Sequence, residues 1–186
     1  PEYHAYEGAP PKAAVLPKQK GLNRFVWDLR YPLLPGAPEV YIEGSFRGHR
    51  AIPGTYSFRL TYADGRQETQ AAILANPLIP TSQDVYRDYH QFMSRAEAAY
   101  TEMTHMTNRL YDLQGKLKEM ISHLQRSGHG ELASEAKRIL GKLDSWDKIM
   151  VQRLSKAYDD VENYVNGFTA EYLTALNHGD SGIPRI

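Results

Sequence analysis

The chain has 186 residues, of which 41% are apolar and 24% charged, with 22 Lys plus Arg balanced by 22 Asp plus Glu and no cysteine. That length and apolar share allow a buried core in one ordinary domain or two small ones. Zero net charge supplies no field to recruit nucleic acid or an anionic membrane surface, the lack of cysteine excludes disulfides and thiolate chemistry, and no run of about eighteen apolar residues is present to span a bilayer.

Residues 1–20 read as an irregular segment. The start at Pro1, with neither a basic end nor an apolar stretch, is expected to be an internal point of a longer polypeptide whose signal, if it had one, lies upstream. From Phe25 to Leu74 the apolar period is two. Phe25, Trp27 and Leu29 share one face, and Tyr56, Phe58, Leu60 and Tyr62 alternate against Ser57, Arg59 and Thr61. Asp64-Gly65 is expected to supply the positive φ angles of a tight hairpin, with Gln67 to Leu74 as the return strand. A further strand is expected near Glu39 to Phe46. Four strands over residues 21–77 predict a small antiparallel β-sandwich, immunoglobulin-like and incomplete, since such sandwiches usually hold about seven. Phe25, Trp27, Tyr56 and Phe58 are expected to form its core.

Asn76-Pro77-Leu-Ile-Pro80 ends the strand region, because proline cannot donate to a ladder and disfavours helix in the residue before it. Thr81, Ser82 or Asp84 can then cap a helix over about 82–126. Its apolar residues recur at spacings of four and three, from Val85, Tyr89, Phe92, Ala96 and Ala99 to Met103, Met106, Leu110, Leu113, Leu117, Met120 and Leu124. Ser127-Gly128-His-Gly130 interrupts the rhythm. Leu132, Ala136, Ile139, Leu143, Trp146 and Met150 resume it along a second helix at 131–155, and Val165, Phe168, Tyr172 and Leu176 mark a third at 163–178, with 179–186 as a tail. Such helices predict an elongated antiparallel three-helix bundle over 81–178, so the fold class is α+β in two parts. The returning helices are expected to fill the seam of the first, which favours a monomer over a dimer.

No catalytic, metal or cofactor residue is assigned. His4, His49, His90, His105, His123, His129 and His178 show no ligand pair at His-Glu-x-x-His spacing and read as solvent-facing or partly packed. Asp159-Asp160 reads as a capping pair, Asp28 as a partner for a neighbouring strand or loop, and neither forms the paired carboxylates of glycoside hydrolysis. Neither a Gly-x-Ser-x-Gly elbow nor a phosphate-binding Gly-x-x-x-x-Gly-Lys loop is present. The 13 tyrosines are the compositional excess, and Tyr3, Tyr6, Tyr31 and Tyr41, which have no packing phase, are the candidate contacts for a partner or a glycan.

Gly21-Leu-Asn-Arg-Phe-Val-Trp-Asp-Leu-Arg-Tyr-Pro32 followed by Pro53-Gly-Thr-Tyr-Ser-Phe-Arg-Leu60 resembles the immunoglobulin-like module of the bacterial flagellar hook-capping protein. With the two helices, Asn163-Tyr164-Val165 and Gly179-Asp-Ser-Gly-Ile-Pro184 added, the chain resembles the C-terminal region of sortilin-like or neuraminidase-repeat (BNR) glycosyl hydrolase-like proteins, although it has Val165 where those relatives often carry proline. The resemblance implies an upstream β-propeller in the same polypeptide, export to the periplasm or cell surface, and a catalytic or binding surface on the propeller rather than here. The expected function is that of a non-catalytic accessory region acting in docking, spacing or partner binding. A carbohydrate-binding module using exposed tyrosines and Trp27, and a helical dimerisation module, are the alternatives.

Overall fold

The computed structural model describes residues 7–181. In chain order the elements are β1 (Gly54–Tyr62), β2 (Gly65–Ile73), α1 (Gln83–Arg126), α2 (Gly130–Met150), α3 (Asp160–Asn163) and α4 (Phe168–Gly179). The fold is α+β, and among the described residues its sheet is the two-stranded antiparallel pair β1–β2.

The hairpin pairs Gly54 with Ile73 through to Tyr62 with Gly65. Ala63 and Asp64 make the turn, and positive φ among non-glycine residues occurs at Leu29 and Glu39 rather than at Asp64, so the turn differs from the expected one. The other two expected strands do not form. Leu29 at φ 58° and Glu39 at φ 55° are left-handed, the first inside one expected strand and the second at the start of the other, where a ladder needs extended backbone. What remains is a strap, residues 29–51, that goes out and comes back. Its two arms are tied by Ala51 N–H to Leu29 O at 2.8 Å, Tyr31 N–H to His49 O at 3.0 Å and Leu34 N–H to Phe46 O at 2.7 Å.

The strap's alternation is real, but its apolar side meets helices instead of a second sheet. Leu34, Val40, Ile42 and Phe46 join Met93 and Tyr100 of α1, Val151, and Ala170, Leu173 and Leu176 of α4 in one core. Each large side chain buried there contributes roughly 1.5–3 kcal/mol. The strap's backbone is pinned to α1, to α4 and to the loop after α2. Asn108 Nδ2 donates to Gly36 O at 2.9 Å, the side chain of Asn177 exchanges two hydrogen bonds with the backbone of Ser45, and Tyr41 exchanges two with Ser155. Buried backbone without a ladder needs such partners. Correspondingly, the expected sandwich core is open: Phe25 is 45% exposed and Phe58 39%, while Trp27 and Tyr56 are half-buried.

In α1, 44 residues and roughly 66 Å long, Ser82 is the cap, its Oγ accepting from Val85 N–H at 3.4 Å. The heptad rhythm has one row where expected, Tyr89, Ala96, Met103, Leu110, Leu117 and Leu124, all half-buried. The second row is displaced by one residue. Met93, Tyr100, Thr107, Gln114 and Ile121 are buried, whereas Phe92, Ala99, Met106, Leu113 and Met120 are exposed. α2 repeats this: Ala136, Leu143 and Met150 face inward with Ala133, Leu140 and Asp147, while Leu132, Ile139 and Trp146 are exposed.

α2 ends at Met150, short of the expected 155, because Val151 turns extended (φ −139°, ψ 130°) and enters the core. Gly167 packs on that backbone; a Cβ there would lie 2.7 Å from Val151 Cα. The expected third helix, 163–178, forms from Phe168 as α4, and the one-turn α3 before it was not expected, giving four helices among the described residues where three are predicted. Asp160 caps the turn before α3 by accepting from Lys156 N–H at 2.7 Å and Ala157 N–H at 3.0 Å, while the Asp159 side chain makes no capping bond.

Candidate functional site

Two groups of polar side chains meet where the strap, the first turns of α1 and the end of α4 converge. The first centres on Asp180, just past α4. One carboxylate oxygen accepts from Tyr89 Oη at 2.6 Å and Arg50 N–H at 3.1 Å, and the other from Arg30 Nη1 at 2.6 Å. Burial alone would raise the Asp180 pKa, but hydrogen bonds from Tyr89, Arg30 and Arg50 outweigh it and hold the carboxyl below its ordinary value. The same contact works in reverse on Tyr89, whose phenol is pushed well up by burial first and by Asp180 second. Arg30 also donates to Gly48 O at 2.8 Å.

The second group is a carboxylate–imidazole–imidazole chain. Glu97 accepts from the His49 backbone N–H at 2.6 Å and from its Nδ1 at 2.8 Å, and His49 Nε2 lies 2.9 Å from His90 Nδ1. A carboxylate only accepts, so Nδ1 of His49 carries a proton. With both rings neutral, His49 Nε2 accepts from His90 Nδ1, and the lone pair at the end of the chain is His90 Nε2. Tyr31 covers the pair, its ring stacked on His49 at 4.3 Å and 12° and on His90 at 4.9 Å and 28°. Gly48 makes that cover possible, since a Cβ at this position would lie 2.6 Å from the carbonyl oxygens of Tyr31 and Pro32.

Chemically the arrangement is a latch. His49 is 1% exposed and bonded at both ring nitrogens, so it is held rather than available. Burial, followed by His49, lowers the pKa of His90, and Ser94 Oγ approaches at 3.4 Å the same nitrogen that bonds His49, not the free end. Among the described residues, no group of three or more His, Cys, Asp or Glu side chains is arranged to hold a metal ion. A cleft of about 180 Å³ beside the latch is lined by Arg30, Arg47, Glu97, Asn177 and Asp180 among others.

Of the four candidate contact tyrosines, Tyr3 and Tyr6 lie outside the described residues. Tyr31 belongs to the latch, its pKa raised by burial and by Tyr56. Tyr41 packs edge-on against Tyr158 at 6.3 Å, with Gly8 against its ring. Asp28 accepts from Arg30 N–H at 3.2 Å, a local turn bond. Sequence reading missed the latch because its members come from three distant segments, and the one regular signal was the seven-residue step from His90 to Glu97 along one face of α1.

The β1–β2 ribbon offers a different kind of site. Tyr56, Phe58, Leu60 and Tyr62 lie on one face, opposite Ala71, Thr69, Gln67 and Gly65. Trp27 covers only the root of this face, at 5.4 Å from Tyr56 and 5.7 Å from Phe58. Beyond it Leu60 is 50% exposed and Tyr62 49%. The opposite face is polar and carries the Arg59–Glu68 ion pair at 2.6 Å. Comparison of the chain with protein-family models, curated proteins and solved structures finds no match.

Proposed function

We propose that this chain is a non-catalytic accessory region that docks through the open apolar face and free edges of its β-ribbon onto a larger β-rich body. The observation that carries the reading is the ribbon itself. A two-stranded hairpin is marginal alone in water, and this one displays an aromatic and aliphatic row that Trp27 covers at its root, leaving Leu60 and Tyr62 open. Such a ribbon gains stability by receiving a second layer or an added strand. In this reading the partner is the upstream β-propeller of the same exported polypeptide, as the resemblance of residues 21–32 and 53–60 and of the helical half implies, and that contact supplies the second layer the ribbon lacks. In the same reading the polar latch holds the strap and the end of α4 in place, with Arg30 and Tyr89 bonded to Asp180 and His49 bonded to both Glu97 and His90.

Hydrogen exchange of residues 54–73, measured in this chain alone and in a polypeptide that joins it to the proposed upstream β-propeller, tests the docking. Hydrolysis of a glycoside by the purified chain, abolished by replacing one of its own carboxylates, would overturn the non-catalytic assignment.

A further inference from the structure

We infer that the α1–α2 hairpin associates with a second copy of this chain through the row of apolar side chains that each helix leaves outside its own seam. The row consists of Met106, Leu113 and Met120 on α1 and of Leu132, Ile139 and Trp146 on α2, each 42–63% exposed. On both helices the members are seven residues apart, the spacing by which a helix presents one continuous line to another helix.

The two lines lie on the same side. On each helix the open row precedes the shared seam row by four residues, as Leu113 precedes Leu117 and Ile139 precedes Leu143, and the buried row lies on the far side of that shared row. α2 returns along α1 after a link of only residues 127–129, and Gln114 Nε2 donates across the pair to Asp144 Oδ1 at 2.7 Å. For two antiparallel helices that face each other, equal rotations in the sense of their own chain directions carry both open rows to one face. That face is a strip two helices wide, with the α1–α2 seam running beneath it.

Its size identifies the occupant. Six large side chains of about 200 Å² each, on average a little over half uncovered, amount to roughly 700 Å² per copy, close to the roughly 800 Å² that each partner of a standard stable interface buries. A single added helix would cover one line, whereas a second hairpin covers both, and two such faces form a four-helix bundle with the interior rows each chain lacks. An isologous contact also brings the same surface to both sides, so each copy satisfies the other. Among the described residues no helix is long and apolar enough to cross a membrane, so the strip is not part of a helical bilayer span.

Sedimentation velocity of the chain over about 1–100 μM, with circular dichroism to confirm folding, tests this inference. The expected result is twice the chain mass for the native sequence and for Leu60→Asp on the β-ribbon, and the single-chain mass for Leu113→Glu combined with Trp146→Glu at unchanged helix content. A native chain that stays monomeric throughout overturns it. So does a dimer that survives the helix substitutions, or one lost with Leu60→Asp, which would assign association to the ribbon instead. A chain that sediments as a monomer but binds phosphatidylcholine–phosphatidylglycerol vesicles would assign the strip to lipid and also overturn it. Because the chain has no cysteine, Leu113→Cys supplies a second readout: inter-chain crosslinking by a short bis-maleimide is expected, and its absence at dimeric mass contradicts this face.

Discussion

Asp180 receives Arg30 Nη1, Tyr89 Oη and Arg50 N–H, and so ties the strap and α1 to the end of α4. Asp180→Asn retains the shape but loses the charge that Arg30 faces; the expected cost is about 2 kcal/mol in chemical denaturation, the range for a charged hydrogen-bonding partner removed from a mostly covered site. The pH dependence has a definite sign. Asp180 titrates lower in the folded protein than in the unfolded chain, so its contribution is present above the ordinary aspartate range and is lost as pH falls through its folded value. His90 is likewise lowered, which means that the unfolded chain takes up its proton first and stability falls as pH drops below about 6.5. Denaturation midpoints measured between pH 7.5 and 5 are expected to decline for the native sequence and to decline less for His90→Gln. Equal slopes would contradict the protonation assignment.

At the scale of elements, α1 provides a direct comparison between neighbouring residues. Met93 is 2% exposed and Phe92 60%. Met93→Ala is expected to cost about 2–4 kcal/mol through lost burial and a cavity, and Phe92→Ala about 0.5 kcal/mol or less, although phenylalanine is the larger side chain. Thermal or urea unfolding of the two variants checks this, and a reversed order would place the seam on the other row. The pair also explains how far the fold was legible in the sequence. A rhythm of fours and threes points to helices where α1 and α2 lie, although α2 stops at Met150, short of the expected 155. It could not choose between rows that differ by one residue, because Thr107 and Gln114 in the buried row are polar and Met106 and Leu113 in the open row are apolar. Both polar groups are satisfied where they lie: Gln114 donates across the pair to Asp144, and the Thr107 hydroxyl bonds its own helix at Met103 O, 2.8 Å. The strap was misread for a related reason. Val40, Ile42 and Phe46 alternate as a strand would, yet their neighbours are α1 and α4, and alternation alone does not say whether a sheet or a helix pair receives it. The latch was the least legible feature, since Arg30, His49, Glu97 and Asp180 are brought together only after the strap has crossed the helices.

Over the whole molecule, a well-packed end, where the strap, α1 and α4 share a core, carries two projections with uncovered apolar surface: the β-ribbon and the α1–α2 hairpin. Contiguous apolar surface on this scale marks interaction sites, and the two projections serve separate contacts in the account given above. The ribbon is the central one, because the proposed accessory role depends on it. Hydrogen exchange by mass spectrometry over residues 54–73, in this chain alone and in a polypeptide that joins it to the proposed upstream β-propeller, is the most direct measurement. Docking predicts amide protection in the joined polypeptide at least about tenfold greater than in the chain alone, removed by Leu60→Asp without change at Met93 or Tyr100. Equal exchange of the ribbon in both contexts would contradict it.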